Sequence, residues 1–261
     1  MEIRGINLVY FSATFSTREV VHYIAKSLDL DILEKYDITQ GVEKHVYAKQ
    51  DELFIIGVPV YGGRVPAITS TFLNSFKGNN TPALIVCVYG NRDYDDALLE
   101  LKDIVEGNGF KVVSAGAFIA QHSIFPKLAK DRPDEMDKKS MADFAAKSLK
   151  ILEQVNNTES IPEVKVKGNF PYRETSKIPI TPKGNKKCNE CGTCVRKCPV
   201  HAIEADNPRK TNKEICISCA RCIAVCPQHA RHFGGLLYQV ASKKFVSSHS
   251  ERKEAEAFYI F

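Results

Sequence analysis

Along residues 1–155 the chain alternates β-rich apolar runs with stripes of helical spacing. INLVYF (6–11), ELFIIGVPV (52–60), PALIVCVYG (82–90) and KVVSAGAFIA (111–120) are continuous runs, and DLDILEKYDI (29–38) reads as a further, more polar strand. Between them apolar residues recur three and four apart. The first stripe is Val20, Val21, Ile24, Ala25 and Leu28, and the second is Ile68, Phe72, Leu73 and Phe76. Then come Ala97, Leu98, Leu101, Ile104 and Val105, and finally Met141, Phe144, Ala145, Leu149, Ile151 and Leu152. Such spacing lines one face of a helix. Strands apolar on both faces and separated by helices predict a parallel sheet covered on both sides. Five of them predict a doubly wound α/β domain over residues 1–155 with strand order 2-1-3-4-5. Its ligand is expected beyond the carboxyl ends of the strands, at the switch point between the first and the third.

After residue 155 the pattern breaks. Residues 156–185 mix four prolines with polar residues, show no sustained period and read as a linker lying along the surface. Residues 186–235 read as a second, small α+β domain built on a tandem repeat. CNECGTCVRKCPVHAI (188–203) and CISCARCIAVCPQHAR (216–231) align without gaps, which predicts a pseudo-twofold unit. Residues 236–261 form a tail that reads as partly helical. Its last residues, Phe258, Tyr259, Ile260 and Phe261, are too apolar to hang free and are expected to dock on the α/β domain.

Composition and charge narrow the partners. No stretch reaches the roughly 20 apolar residues that span a bilayer. The start, MEIRGINLVYFSATF, shows no basic leader ahead of a long apolar run, so the expected compartment is the cytoplasm. In a reducing compartment clustered cysteines are metal ligands rather than disulfides. Residues 1–150 carry 18 Lys+Arg against 20 Asp+Glu, whereas residues 151–261 carry 18 against 11. No recognition-helix pattern or aromatic RNA platform accompanies the basic half, so nucleic acid is not the expected partner.

The cysteines suggest a reason for that asymmetry. A [4Fe–4S] cubane needs four thiolates at tetrahedral corners, and Cys-x-x-Cys-x-x-Cys wraps three of them. Zinc also uses Cys-x-x-Cys pairs, but it needs two pairs per metal, not three cysteines in one loop with Cys-Pro behind. Over about 50 residues the repeat resembles the bacterial two-cluster ferredoxins, in whose spacing the fourth Cys of each run ligates the other cluster. The resemblance implies Cys188, Cys191, Cys194 and Cys226 at cluster one, and Cys216, Cys219, Cys222 and Cys198 at cluster two. This exchange ties the two halves together, so that metal supplies much of the folding energy of a domain too small for a large core. Two oxidised clusters bring about −4 of charge, which offsets much of the basic excess. Lys186, Lys187, Arg196, Lys197 and Arg221 flank the cysteines and are expected to raise the cluster potentials. The remaining thiol, Cys87, sits mid-strand and reads as a small core residue.

A second cofactor is suggested by the first loop. Ser12, Thr14, Ser16 and Thr17 surround the start of the first helix, where unpaired amides and the helix dipole favour phosphate, although a Ser/Thr loop also serves as a plain N-cap. Neither a G-x-G-x-x-G nor a P-loop pattern is present. The segment resembles the flavodoxin phosphate loop, Ser/Thr-x-Thr-Gly-Asn-Thr. Ser12, Thr14 and Thr17 match, Phe15 replaces the usual Gly, and Ser16 replaces the usual Asn. Where that backbone needs a positive φ, Phe15 is strained. The resemblance implies FMN. Pro59, Val60, Tyr61, Gly62 and Gly63 end the third strand, and Tyr89, Gly90, Asn91, Arg92 and Tyr94 follow the fourth. Each loop offers a ring beside bare backbone, as a flat isoalloxazine requires. Tyr61 or Tyr94 is expected to stack and Gly90, Asn91 and Arg92 to meet the ring edge. The alternative is that these tyrosines merely pack on their loops.

The whole chain resembles the fused flavodoxin–ferredoxin proteins of anaerobes, which implies a flavodoxin-like domain, two [4Fe–4S] clusters and one FMN. The implied role is electron transfer within one chain, with a redox protein or a small-molecule donor or acceptor as the external partner. A carrier is expected to have its flavin covered by the cluster domain. Two alternatives stay open. One is a flavin-dependent reductase of a quinone or other small acceptor, which needs an open cavity over the ring. The other is an oxygen-sensing or structural iron–sulfur module.

Overall fold

The apolar runs become strands in the expected order. The computed structural model describes residues 2–175 and 178–260. In chain order the elements are β1 (Gly5–Tyr10), α1 (Ser16–Leu28), β2 (Ile32–Asp37), β3 (Val46–Tyr47), β4 (Glu52–Pro59), α2 (Ala67–Leu73), β5 (Phe76–Lys77), β6 (Thr81–Tyr89), α3 (Ala97–Gly107), β7 (Phe110–Ile119) and α4 (Glu135–Gln154). Then follow β8 (Lys183–Gly184), α5 (Thr193–Arg196), α6 (Arg221–Ala224), β9 (Arg231–His232), α7 (Leu236–Ser248) and β10 (Glu256–Tyr259).

The main sheet runs β10-β7-β6-β4-β1-β2. Its five parallel strands have the doubly wound, flavodoxin-like order, and β10 adds a sixth, antiparallel strand on β7, with Phe258 opposite Ala115. Every residue of β4 and β6 is buried, as strands covered on both faces require. α1 and α4 cover one face through Val21, Ile24, Met141 and Phe144. α2 and α3 cover the other, where Leu73, Leu98 and Leu101 meet Phe54 and Ile85. Each such side chain taken from water contributes roughly 1.5–3 kcal/mol. Gly57 lets α1 come close, since a Cβ there would lie 2.3 Å from Val21 Cγ2. β2 is a largely exposed edge whose Glu34 and Lys35 discourage further pairing.

Two expectations need correction, and a third gains a strand. The second helical stripe ends at Leu73, and Phe76 starts β5, where it pairs with Val46 of β3 and is buried. There, strand pairing outweighs the helical spacing. The segment read as a surface linker is packed across α3. Val164 is fully buried, Glu163 accepts from Lys102 Nζ at 2.6 Å, and Asp96 accepts from Asn169 N and Arg173 N at 2.8 and 2.7 Å. Its apolar residues Ile161, Val164 and Val166 are too few to form an element of their own yet enough to dock one. The tail contributes a strand as well as a helix. α7 sets Tyr238 and Phe245 on Ile124 and Phe125, and Phe258, Tyr259 and Ile260 pack on the main core clusters. Phe261 lies outside the described residues.

In the cysteine half the duplication persists in the backbone. Left-handed residues recur 28 positions apart: Glu190 and Ser218 (φ 60° and 54°), Gly192 and Ala220 (71° and 62°), and His201 and His229 (52° and 47°). The middle pair opens the one-turn helices α5 and α6.

Candidate cofactor sites

At the carboxyl edge of the sheet, a narrow cleft lies between the ends of β1, β4, β6 and β7. Ala13, Thr14, Ser16 and Thr17 line it from the α1 start, Pro59, Val60 and Tyr61 from β4, and Val88, Tyr89 and Gly90 from β6. α1 begins without a side-chain cap, because Phe15 holds the N-cap position at φ 72°. Ser12 instead accepts from Arg18 N at 3.0 Å, one turn in. The orphan amides of a helix start therefore accompany three hydroxyls at one end of the cleft. Gly90 supplies bare backbone, since a Cβ there would lie 2.6 Å from the His122 ring. Hydroxyls and a helix start at one end, with Tyr61 and open backbone at the other, fit a flavin phosphate and its ring.

The sequence reading missed the fourth wall, Ala120, Gln121, His122 and Ser123, where β7 ends. The polar run QHS directly after the apolar KVVSAGAFIA was the available signal. His122 Nδ1 accepts from Ile124 N and Phe125 N at 3.1 and 3.2 Å, which places its proton on Nε2. Burial, with Arg92 and His249 nearby, brings its pKa down to about 4, so the ring is neutral at pH 7.

Other expected cleft residues lie elsewhere. Tyr94 is buried under the tail, edge-on to Tyr89, and donates to Glu256 at 3.0 Å. Asn91 holds the tail, donating to the His249 and Glu251 carbonyls at 2.8 and 2.7 Å and accepting from Lys253 N at 3.1 Å. Arg92 pairs with Asp95. Gly63 packs against Asp95, and Gly62 lines a neighbouring groove instead. Ser12 and Phe15 support the loop from behind. The tail segment before β10 thus holds the Asn91 side chain that was expected at a ring edge.

The eight cysteines fall into two sets. Cys188, Cys191, Cys194 and Cys226 line one small cavity with Arg231. Charges on Cys188 and Cys226 both act on Cys194, and the charge on Cys198 acts on Cys216, Cys219 and Cys222. The fourth residue of each run thus stands among the first three of the other. Amide-to-sulfur bonds repeat with the duplication: Ala202 N to Cys198 and Ala230 N to Cys226, both 3.3 Å. Burial pushes the free thiols of Cys219 and Cys222 up to about 12 and about 11, so a bound cation is needed to make them thiolates. Among the described residues no three His, Cys, Asp or Glu side chains close on a single ion.

The two halves meet beside the cleft. Cys219 is buried in the same apolar cluster that Tyr61 packs against, and burial, then Cys219, raises the Tyr61 phenol pKa well above its ordinary value. Arg221, between Cys219 and Cys222, donates to the Ser12 and Ala13 carbonyls at 3.4 and 3.2 Å and lies 4.9 Å from the Phe15 ring centre. Gln40 donates to the Arg196 carbonyl at 2.7 Å and accepts from Lys197 at 2.9 Å. Cys191, in the other set, is exposed.

Comparison with known proteins adds a family match for one region. Residues 187–231 match the 4Fe-4S dicluster domain family. No curated protein matches the chain. Among solved structures, oxidised flavodoxin 1 from Bacillus cereus is 16% identical over 56% of this chain and 97% of its own, with a TM-score of 0.41. A Fusobacterium nucleatum flavodoxin mutant bound to flavin mononucleotide is 18% identical over 57% and 96%, at 0.41. The rubredoxin oxygen:oxidoreductase of Desulfovibrio gigas is 14% identical over 59% of this chain, which spans 37% of that enzyme, at 0.42. At these scores the α/β assignment rests on strand order and register. A doubly wound α/β half followed by a 4Fe–4S dicluster match supports a redox role. Among the described residues no helix is long and apolar enough to cross a membrane.

Proposed function

We propose that this chain is an electron carrier holding two [4Fe–4S] clusters and one FMN. The observation that carries the reading is the contact of the second cysteine set with the cleft wall, through Cys219 at Tyr61 and Arg221 at the Ser12–Ala13 backbone. When bound, each cluster passes one electron and FMN exchanges one or two. The chain's own residues do the rest. Cys188, Cys191, Cys194 and Cys226 hold cluster one, and Cys216, Cys219, Cys222 and Cys198 hold cluster two. Thr14, Ser16 and Thr17 with the α1 start hold the phosphate. Tyr61 flanks the ring, while Gly90 and His122 shape its far side. Arg221 fixes the loop carbonyls from the cysteine half, so that the loop amides stay turned to the cleft. Cys191 is exposed, so its edge of cluster one is the side open to an external redox partner. That the cysteine half packs against the cleft wall favours a carrier over a reductase needing room for a substrate.

The test is anaerobic purification with iron, sulfide and flavin analysis. The expected content is about eight iron and about one FMN per chain. Stoichiometric zinc, or a chain with full iron that takes up no added FMN, contradicts the reading.

A further inference from the structure

Arg231 is the one position of the aligned repeat where a buried apolar residue in the first copy becomes a buried charge in the second. CPVHAI ends on Ile203 and CPQHAR on Arg231. Ile203 is 6% exposed and Arg231 2%. The terminal nitrogens of its guanidinium are well supplied: Nη1 donates to the Pro208 carbonyl, and Nη2 donates to the Pro182 carbonyl at 2.9 Å and to the Thr211 hydroxyl. All three acceptors are uncharged. Among the described residues no carboxylate pairs with it, and its Nε is buried without an acceptor. The side chain lines the cavity of Cys188, Cys191, Cys194 and Cys226. It also reaches the other set, where its guanidinium hydrogen-bonds the Cys222 side chain.

A guanidinium does not shed its proton in proteins. Burial without a counter-charge is therefore costly and cannot be relieved by neutralisation. The groups at hand to balance it are anionic clusters on either side. We propose that Arg231 is the shared counter-charge of the two cluster sites, placed between them to favour the reduced, more negative state of both. This rests on the iron–sulfur reading above. Lysines at the rim are screened by water, whereas Arg231 acts through protein on cluster one and cluster two alike. An electron arriving at either cluster meets the same stabilising charge, which keeps the two potentials close.

The test uses full-length holoprotein, prepared anaerobically, with Arg231→Ile, Arg231→Gln and Arg231→Lys. Iron content is measured first, then the midpoint of each cluster by potentiometric titration followed by EPR, with the flavin midpoint as an internal reference. The expected result is that Ile and Gln lower both cluster midpoints and leave the flavin midpoint in place, while Lys keeps both near wild type. Full iron with unmoved midpoints, or a shift confined to one cluster, overturns the proposal and leaves the iron–sulfur reading intact. Wild-type protein carrying zinc removes both. If Ile and Gln lose their clusters, Arg231→Lys with full iron decides: both of its midpoints should stay near wild type. A midpoint moved at either cluster overturns the proposal.

Discussion

The two halves of this molecule are specified in different ways. The α/β half has two extended apolar clusters, one on each face of the sheet, with Phe11, Phe54, Phe118 and Phe144 fully buried. The cysteine half has a core of Cys194, Cys198, Ala202, Ile203 and Cys222. Three of those five residues are candidate ligands. Residues whose job is packing hold the first half; the second is held by residues whose job is binding metal. A fold of the first kind persists when its ligand leaves, and one of the second kind does not.

Iron removal is the strongest way to break that comparison. Chelation is expected to unfold residues 183–232 while the α/β sheet survives, read by amide exchange: protection is lost around Cys194 and Cys222 and kept in β4 and β6. Cooperative loss of both halves would contradict it. Next in size is ligand exchange between the repeats. Cys198→Ser should damage the cluster of the 216–222 run, and Cys226→Ser that of the 188–194 run, read by iron content and EPR of each cluster. Damage confined to the mutated run sinks the crossed assignment.

Arg221→Ala tests the seam. The loop loses the donor to its Ser12 and Ala13 carbonyls, and FMN affinity should fall about tenfold, about 1.4 kcal/mol, in a titration of flavin fluorescence with the clusters retained. Unchanged affinity would leave Arg221 a packing residue. Asn91→Ala removes three hydrogen bonds to the tail, each worth about 1 kcal/mol net. Exchange should rise in β10 and at the β7 edge with little change in β1.

The smallest effect is titration. His122 has a folded pKa of about 4 against an ordinary value of about 6.5. The folded state resists the proton that the unfolded chain accepts. Its contribution is therefore complete above about pH 6.5 and is lost progressively as pH falls toward about 4. Denaturant midpoints should drop over that window, and less so in His122→Gln. An equal drop in the variant assigns the acid sensitivity elsewhere; Asp134 contributes only below this window, as pH falls under about 4. Its hydrogen bond with Arg252 holds that carboxyl well below the usual range and anchors the tail.

The sequence disclosed most where period or spacing was strong. The parallel strands, the α1 stripe and the two cysteine runs could be read because burial on both faces and thiolate geometry each leave a local signature. β10 could not, because the short run EAFY owes its strand state to the free edge of β7, 140 residues earlier. The same blindness misplaced Asn91, Arg92 and Tyr94. They follow the fourth strand, as expected of ring-contacting residues, but the tail takes the side chains of Asn91 and Tyr94, and Asp95 takes that of Arg92. Arg231 was passed over because no local pattern marks a lone arginine as buried. Only the fold shows it buried.

The account's centre is that both kinds of cofactor sit in one chain, with the second cysteine set against the flavin cleft. Flash photoreduction of FMN in the anaerobic holoprotein, with electron arrival followed at the clusters, tests this most directly. The predicted result is first-order equilibration at a rate independent of protein concentration. A rate that rises in proportion to concentration, as for electrons exchanged between separate molecules, would contradict it.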